Sequence, residues 1–353
     1  MVWEADADLT GLAIPADCQI VTTKMPADSF SVPLVAILGP TASGKSWLAV
    51  TLAEEFGGEV IACDSTQVYR GFDIGTAKPS AAERRGIPHH MLDVVPWSEV
   101  FTAGEYRQRT LEVLADLHLR QRLPIFTVGT GLYFRALTQG LADAPRRSEE
   151  LRARLNAIGA RRGGAHLHQL LRRLDPAAAE RISSNDRQKL VRAIEVCLLT
   201  GRSMSEVHRT GREPLQGYAV LKIGLNPPRQ ELYTRIEKRV QLMLQQGWAA
   251  EVNLLVAQGA LPNAKPFEFI GYRELRDQVE TGESLPQVAA VIAQATRRYA
   301  KRQLTWFGRE ADVRWFPGFG EAPETLSGVL DYLRPLLAES TDGARHARRR
   351  QAV

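Results

Sequence analysis

An α/β fold, a parallel sheet flanked by helices and interrupted by an all-helical insertion, is what this sequence predicts. Three observations predict it. Short apolar runs such as Leu34–Leu38 and Glu59–Cys63 alternate with stretches of helical period, the order that builds a parallel sheet. A glycine-rich loop joins the first run to the first helix. Between residues 141 and 215 the strand-like runs stop, and short arginine-rich helices replace them.

The loop reads Gly39-Pro40-Thr41-Ala42-Ser43-Gly44-Lys45-Ser46 and fits G-x-x-x-x-G-K-[ST]. At average composition the four fixed positions arise by chance in roughly one such chain in a hundred. The strand before and the helix after make a true phosphate loop the better reading. Glycines let backbone N–H groups curl around phosphate oxygens, and the helix N-terminus adds positive potential. Lys45 supplies a point charge for the outer phosphates, and Ser46 is placed to ligate Mg²⁺. A nucleotide is the default ligand of such a loop, but any diphosphate fits it. Leu48, Leu52 and Phe56 follow at helical spacing until Gly57-Gly58.

The second run ends at Asp64, followed by Ser65, Thr66, Gln67, Val68 and Tyr69. A carboxylate just past a strand's C-terminal end sits where open α/β sheets bind ligands, although Asp also serves as a cap. A loop covers Gly71–Pro79, and Met91–Val95 is expected as a third strand. His89-His90 lacks a third partner for a metal and reads as structural. Thr102-x-x-Glu105 is a capping box opening a helix from Tyr106 to Arg120. Pro124 opens a strand, Ile125–Val128, that runs into Gly129-Thr130-Gly131. A motor-type ATPase would end such a strand in Asp or Glu; Asp93 is a substitute in a weaker context.

The 353 residues suffice for two domains, with 44% apolar and 24% charged residues, ordinary globular usage. No run is long and apolar enough for a membrane span. Three scattered cysteines suit a reducing cytoplasm and argue against a disulfide framework. From Arg146 to Arg212, 15 Lys and Arg stand against 7 Asp and Glu, a surplus of 8. The whole chain is at +5, so the rest carries −3. Such localisation suits a nucleic-acid footprint, and solvated helix faces would give it too. Tyr218–Leu225 returns to the sheet, and Pro228 starts a helix with Leu232, Ile236, Val240 and Leu244. Val288–Trp306 is a long helix on which Arg297, Arg298, Lys301 and Arg302 form a basic stripe beside Tyr299 and Trp306. Residues 1–31 are expected as a disordered extension, with Met25 a second candidate start, and 338–353 as a disordered basic tail. The core is then 32–140 with 216–320, and 141–215 the insertion.

Six ordered blocks make the chain resemble the tRNA dimethylallyltransferases, also called tRNA isopentenyltransferases. They are GPTASGKS (39–46), DSTQVYRGFDIGTAKP (64–79), GTGLYFRAL (129–137), NDRQKLVRAIEV (185–196), FIGYREL (269–275) and TRRYAKRQLTWF (296–307). The resemblance implies a P-loop kinase-like core that does not hydrolyse ATP. It implies transfer of a dimethylallyl group from dimethylallyl diphosphate to N6 of adenosine 37, beside the tRNA anticodon. By the same resemblance Asp64 is the general base, and Thr130 and Arg152 contact the leaving group. Gly39–Ser46 hold the diphosphate with Mg²⁺ on Ser46. Asp64, Ser65, Thr66 and Gln67 contact tRNA, as do Gln188, Lys189, Leu190, Val191 and Arg192, and Glu268, Phe269, Ile270, Gly271, Tyr272 and Arg273. Arg297, Lys301 and Arg302 join them. Gln67 is expected to read the target adenine's edge.

The chain departs from the family pattern at four places. Lys189 stands for an Arg, Val128 for the first glycine of GGTG, and Phe269 and Arg298 for small and Gln residues. A cytoplasmic monomer is expected. The large basic insertion argues against a relative acting on free adenine nucleotides, and the missing acidic strand end argues against a nucleotide kinase. Asp64 beside Gln67 argues against an RNA-binding switch without chemistry.

Overall fold

A computed structural model describes residues 31–209, 213–261 and 264–351, apart from the side chains of 279–280 and 340–351. The expected extension therefore lies outside the described residues except for Ser31, which is exposed ahead of the first strand.

Six parallel strands form one sheet: β1 Val32–Leu38, β2 Gly58–Cys63, β3 His89–His90, β4 Leu123–Val128, β5 Tyr218–Leu225 and β6 Val313–Phe316. Their spatial order is β3-β2-β4-β1-β5-β6. β1 lies between β4 and β5, pairing Leu38 with Val128 and with Gly224. Its residues Leu34–Leu38 are wholly buried, which is why the run is apolar on both faces. Because β1 passes to β2 on the far side of β4, the ends of β1, β4 and β2 stand side by side at the C-terminal edge. That edge is where open parallel sheets bind ligands.

The helices cover both faces. α1 (Lys45–Phe56) follows β1 and ends at Gly57, whose φ of 64° a glycine adopts without strain. α2 (Ala81–Arg84) is a single turn, and α3 (Ala103–Leu119) starts at the expected Thr102–Glu105 capping box. α4 (Gly131–Gln139) leaves β4. After the insertion come α10 (Arg229–Gln245), α11 (Trp248–Ala257), a 3₁₀ turn at Lys265–Glu268, α12 (Tyr272–Thr281), α13 (Leu285–Phe307) and α14 (Pro323–Gln351). One core lies under α3, α4, α11 and α13, and a second lies under α1 and α14.

Two expectations change. The third strand is His89–His90, not Met91–Val95, because Met91 and Asp93 adopt φ of 63° and 55° and break the extended run. Only a single bridge, Tyr69 to Val95, remains there. The segment from 338, expected as a disordered tail, continues α14 to Gln351. Buried Val329 and Leu333 anchor that helix, and its Ala- and Arg-rich sequence favours propagation.

Between β4 and β5 the chain runs through α5 (Glu149–Arg162), α6 (Gly164–Leu174), α7 (Pro176–Arg181), α8 (Arg187–Thr200) and α9 (Met204–Val207). These helices bury their own cluster around Leu155, Leu167, Leu171, Leu190 and Ile194. Glu195 is fully buried within it. Its carboxylate accepts two bonds from Arg152 at 2.9 and 3.0 Å, one from Arg192 at 2.7 Å and one from the Ser148 N–H at 2.8 Å. Burial alone would raise its pKa, but these donors hold it below the ordinary glutamate value.

Glu195→Ala leaves two arginines facing a cavity, and we expect a loss of about 3 kcal/mol, the low end for a broken buried pair because both arginines are partly exposed. Urea unfolding measures it. The depressed carboxyl stabilises the fold above its unfolded pKa and ceases to do so as pH falls through its folded value. The gap to wild type therefore closes in acid.

Candidate active site

Three loops meet at the C-terminal edge of the sheet. The first is the phosphate loop, residues 39–46. Ala42 and Gly44 adopt φ of 64° and 88°, the left-handed backbone by which the loop curls before α1. Ser43 is fully buried, and its Oγ has no hydrogen-bond partner. An orphaned buried hydroxyl in a glycine-rich loop at a helix N-terminus is a group that a bound anion can satisfy. Lys45 lies over the loop, its Nζ donating to the carbonyls of Gly39 (2.9 Å) and Pro40 (2.8 Å). The residue as a whole is half-buried, but its Nζ is ringed by protein, so burial lowers its pKa to about 7. Asp64 opposes that shift, and Arg239 adds to it.

The second loop starts at Asp64, directly after β2. Asp64 Oδ1 accepts from the Thr66 N–H (2.9 Å) and the Thr66 hydroxyl (2.7 Å). Its Oδ2 accepts no hydrogen bond among the described residues and lies against Gly129. A Cβ on Gly129 would stand 2.3 Å from that oxygen. Gln67 turns its amide inward, donating to the Thr76 (3.1 Å) and Ala77 (3.2 Å) carbonyls. Lys78 ties the same segment to Asp73 (2.6 Å) and Asp93 (2.5 Å), so Asp93 is committed to an ion pair.

The third loop, Gly129–Gly131, explains its glycines by close approach. Gly129 makes room for Asp64, and Gly131 lies against the Trp306 indole, 2.0 Å from where its Cβ would be. The N–H groups of Gly129 and Thr130 both donate to the Cys63 carbonyl. Thr130 Oγ1 accepts from the Ser65 N–H (2.9 Å) and lies 3.1 Å from Ser65 Oγ. Cys63 is wholly buried, which pushes its thiol pKa well above the ordinary range. Val128, in place of the usual glycine, is a buried strand residue paired with Leu38 and Cys63.

α13 locks the loops together. Gln303, 5% exposed, accepts from the Thr41 N–H at 2.7 Å and donates to the Gly129 carbonyl at 2.8 Å. Tyr299 donates to that carbonyl at 3.3 Å, and Arg302 lies over its ring. From α10, Arg239 stands within electrostatic reach of Lys45 and Asp64. Its guanidinium makes no hydrogen bond or ion pair among the described residues. Burial and then Arg235 hold its pKa below the ordinary arginine value. Arg235 itself pairs with Glu321 and lies over Phe319.

Asp64, Thr130, Lys45 and the phosphate loop are therefore brought together. Arg152 is engaged by Glu195 inside the insertion. Gln188 and Lys189 are exposed on α8, whereas Leu190 and Val191 are buried in the insertion core. Glu268 and Arg273 are exposed, while Gly271 and Tyr272 are buried. Arg297 pairs with Glu237, and Lys301 and Arg302 are exposed. Arg239 and Gln303 escaped the sequence reading. Arg239 directly precedes buried Val240 on an otherwise amphipathic helix, and Gln303 is the polar residue facing inward from a basic block.

For Mg²⁺ the fit rests on the Ser46 hydroxyl at the start of α1, which is exposed. No group of three His, Cys, Asp or Glu able to hold a metal occurs among the described residues. Such a site suits Mg²⁺ bound mainly by phosphate oxygens and water, as that ion prefers.

The family model described as IPP transferase matches residues 67–310. The tRNA dimethylallyltransferase of Solibacter usitatus is 47% identical over 308 residues, covering 87% of this chain and 100% of that protein. That of Koribacter versatilis is 48% identical over 301 residues, covering 85% and 98%. The crystal structure of the tRNA isopentenylpyrophosphate transferase of Bacillus halodurans superposes with a TM-score of 0.65 at 36% identity, covering 89% of this chain and 99% of that one. A eukaryotic dimethylallyltransferase acting on tRNA superposes with a TM-score of 0.70 at 27% identity, covering 81% and 74%.

Pyrophosphate binding should raise the Lys45 pKa, because a neighbouring anion favours the ammonium. At pH 8 the free protein holds Lys45 mostly neutral, so Lys45 takes up a proton on binding, and at pH 5.5–6 it does not. Calorimetry in buffers of different ionisation heat reads this as the difference between wild type and Lys45→Gln, which cancels the protons pyrophosphate itself exchanges; the same proton balance in both at pH 8 would contradict it.

Proposed function

The chain belongs to the IPP transferase family, and on that premise we propose that it transfers a dimethylallyl group from dimethylallyl diphosphate to N6 of adenosine 37 in tRNA. The observation that carries this reading is the unoccupied hydrogen-bonding capacity of Asp64 Oδ2, held beside a phosphate loop by Gln303 and Gly129.

The adenine amine is a poor nucleophile, since its lone pair is delocalised into the ring. As its nitrogen bonds to the allyl carbon, the C–O bond to diphosphate breaks and an N–H proton passes to Asp64 Oδ2. Thr66 holds Asp64 Oδ1, so the free oxygen keeps its direction. The phosphate-loop N–H groups, Ser43 and Lys45 receive the charge that builds on the leaving group. Arg239 is ready for the same task, having no hydrogen-bond or ion-pair partner among the described residues. Arg152 reaches the leaving group only by exchanging Glu195 for phosphate oxygens. Mg²⁺, held through Ser46, supplies further neutralisation of the diphosphate. Thr130 positions the loop through Ser65 and borders the bridging oxygen.

The adenine must leave its stack to reach Asp64. Ser65, Thr66, Gln67, Glu268, Arg273, Lys301 and Arg302 surround it with polar and cationic groups, and Gln188, Lys189 and Arg192 of the insertion contact the anticodon stem. With its NH₂ spent on the Thr76 and Ala77 carbonyls, Gln67 meets the base through its carbonyl oxygen. The protein acts as a cytoplasmic monomer.

The test is a transfer assay with unmodified tRNA, Mg²⁺ and radiolabelled dimethylallyl diphosphate, beside the same mixture with AMP. Label should enter tRNA only; label in AMP, or ATP turnover instead, would overturn the reading. Asp64→Ala should lower the rate by about 10²–10⁴-fold while tRNA still binds. Collapse of tRNA binding would make Asp64 a recognition residue.

A further inference from the structure

We infer that α11 is a brace that sets the two RNA-facing loops in register, with Glu251 and Trp248 as its positioning residues; this rests on the RNA-modifying reading above. Neither residue belongs to the catalytic cluster, yet α11 sits between the segment following Asp64 and the segment leading into α12.

Glu251 spans both segments. Its Oε2 accepts from the N–H groups of Asp73 (3.1 Å) and Ile74 (2.9 Å), and its Oε1 accepts from the Tyr272 hydroxyl (2.6 Å). The same hydroxyl accepts from the Gly75 N–H at 3.1 Å, which closes a ring of bonds across the two loops. Charge-assisted bonds of this kind are short and directional, so they fix orientation as well as contributing energy.

Trp248 fixes the spacing. Its indole is 2% exposed and lies between two glycine backbones. A Cβ on Gly75 would stand 2.1 Å from Nε1, and one on Gly271 1.9 Å from the far ring edge. The buried Nε1 has no hydrogen-bond partner, so the tryptophan is retained there at some cost for its shape. Tyr272 meets its ring edge-on at 5.6 Å.

The brace reaches Asp64 in a few steps. Beyond Gly75, the carbonyls of Thr76 and Ala77 accept both N–H bonds of Gln67, three residues from Asp64. Glu251 thus holds the strip of backbone on which Gln67 rests, and it holds the Phe269–Arg273 turn at a fixed distance from that strip. Release of Glu251 should loosen the acceptor side of the site and leave the phosphate loop, anchored by Gln303, as it was.

Glu251→Ala, Glu251→Gln and Tyr272→Phe test this. In Glu251→Ala, hydrogen exchange at the Asp73 and Ile74 amides should speed up by about tenfold or more. Tyr272→Phe should open Gly75 and leave those two protected. KM for tRNA should rise about tenfold in Glu251→Ala, with pyrophosphate affinity and KM for dimethylallyl diphosphate within about twofold of wild type. Glu251→Gln, whose amide oxygen still accepts from Asp73 and Ile74, should restore most of the tRNA affinity. The double variant Glu251→Ala/Tyr272→Phe should be no worse than Glu251→Ala. Unchanged exchange, unchanged KM for tRNA, or a parallel fall in pyrophosphate affinity would each overturn the inference. If Glu251→Ala does not fold, the other two variants carry the same test. Absence of label in tRNA with the wild-type protein would instead sink the functional reading, while the exchange data would still report on the brace.

Discussion

The site depends on one buried amide. Gln303 accepts from the phosphate loop at Thr41 and donates to Gly129, which lies against Asp64. A side chain that both accepts and donates is needed, because a backbone N–H must be satisfied on one side and a carbonyl on the other. A carboxylate could not donate, and an ammonium could not accept. The distance between the phosphate loop and Asp64 is therefore set by the length of one glutamine, held on the 23-residue helix α13. Rigid helices hold such geometry better than loops do.

Around that joint the protein gathers positive charge and leaves it poorly neutralised. Lys45 is folded onto its own loop carbonyls, Arg239 has no carboxylate partner among the described residues, and Arg235 is the one drawn off by an acid, Glu321. Desolvation makes this arrangement unfavourable for the free protein, as the lowered Lys45 and Arg239 values record. In the proposed reaction a bound diphosphate would relieve it, so part of the affinity for the anion would be built into the folded chain. A loop carrying a single lysine on an otherwise neutral surface would lack that term.

The insertion follows the opposite rule. Its fully buried carboxylate, Glu195, is saturated by two arginines and a backbone N–H; Arg187 turns back onto the Asn156 carbonyl, and Lys189 of α8 is exposed. One carboxylate thereby organises Arg152 and Arg192, and in the proposed reaction exposed cations such as Lys189 would meet a polyanion. In the proposed reaction one half would accept a small anion in a cleft and the other a large one on a surface, which matches this difference.

The sequence by itself determined the strand–loop–helix order, the phosphate loop, the capping box at Thr102, the helical character of the insertion and the placement of Asp64 at a strand end. Those features are encoded by short-range patterns: apolar runs, glycine spacing, capping pairs. It overran where local patterns compete, placing a strand at Met91–Val95 where positive φ angles stop one, and it read a disordered tail from 338 where α14 continues. Tertiary structure alone decided the partners. That Arg152 belongs to Glu195, that Tyr272 faces inward, that Gln303 meets Thr41 from 262 residues away, and that Arg239 stands near the site are facts about how distant segments come together. The period of one helix shows which face is polar, but which acid or carbonyl that face meets is set only when the strands fall into the order β3-β2-β4-β1-β5-β6.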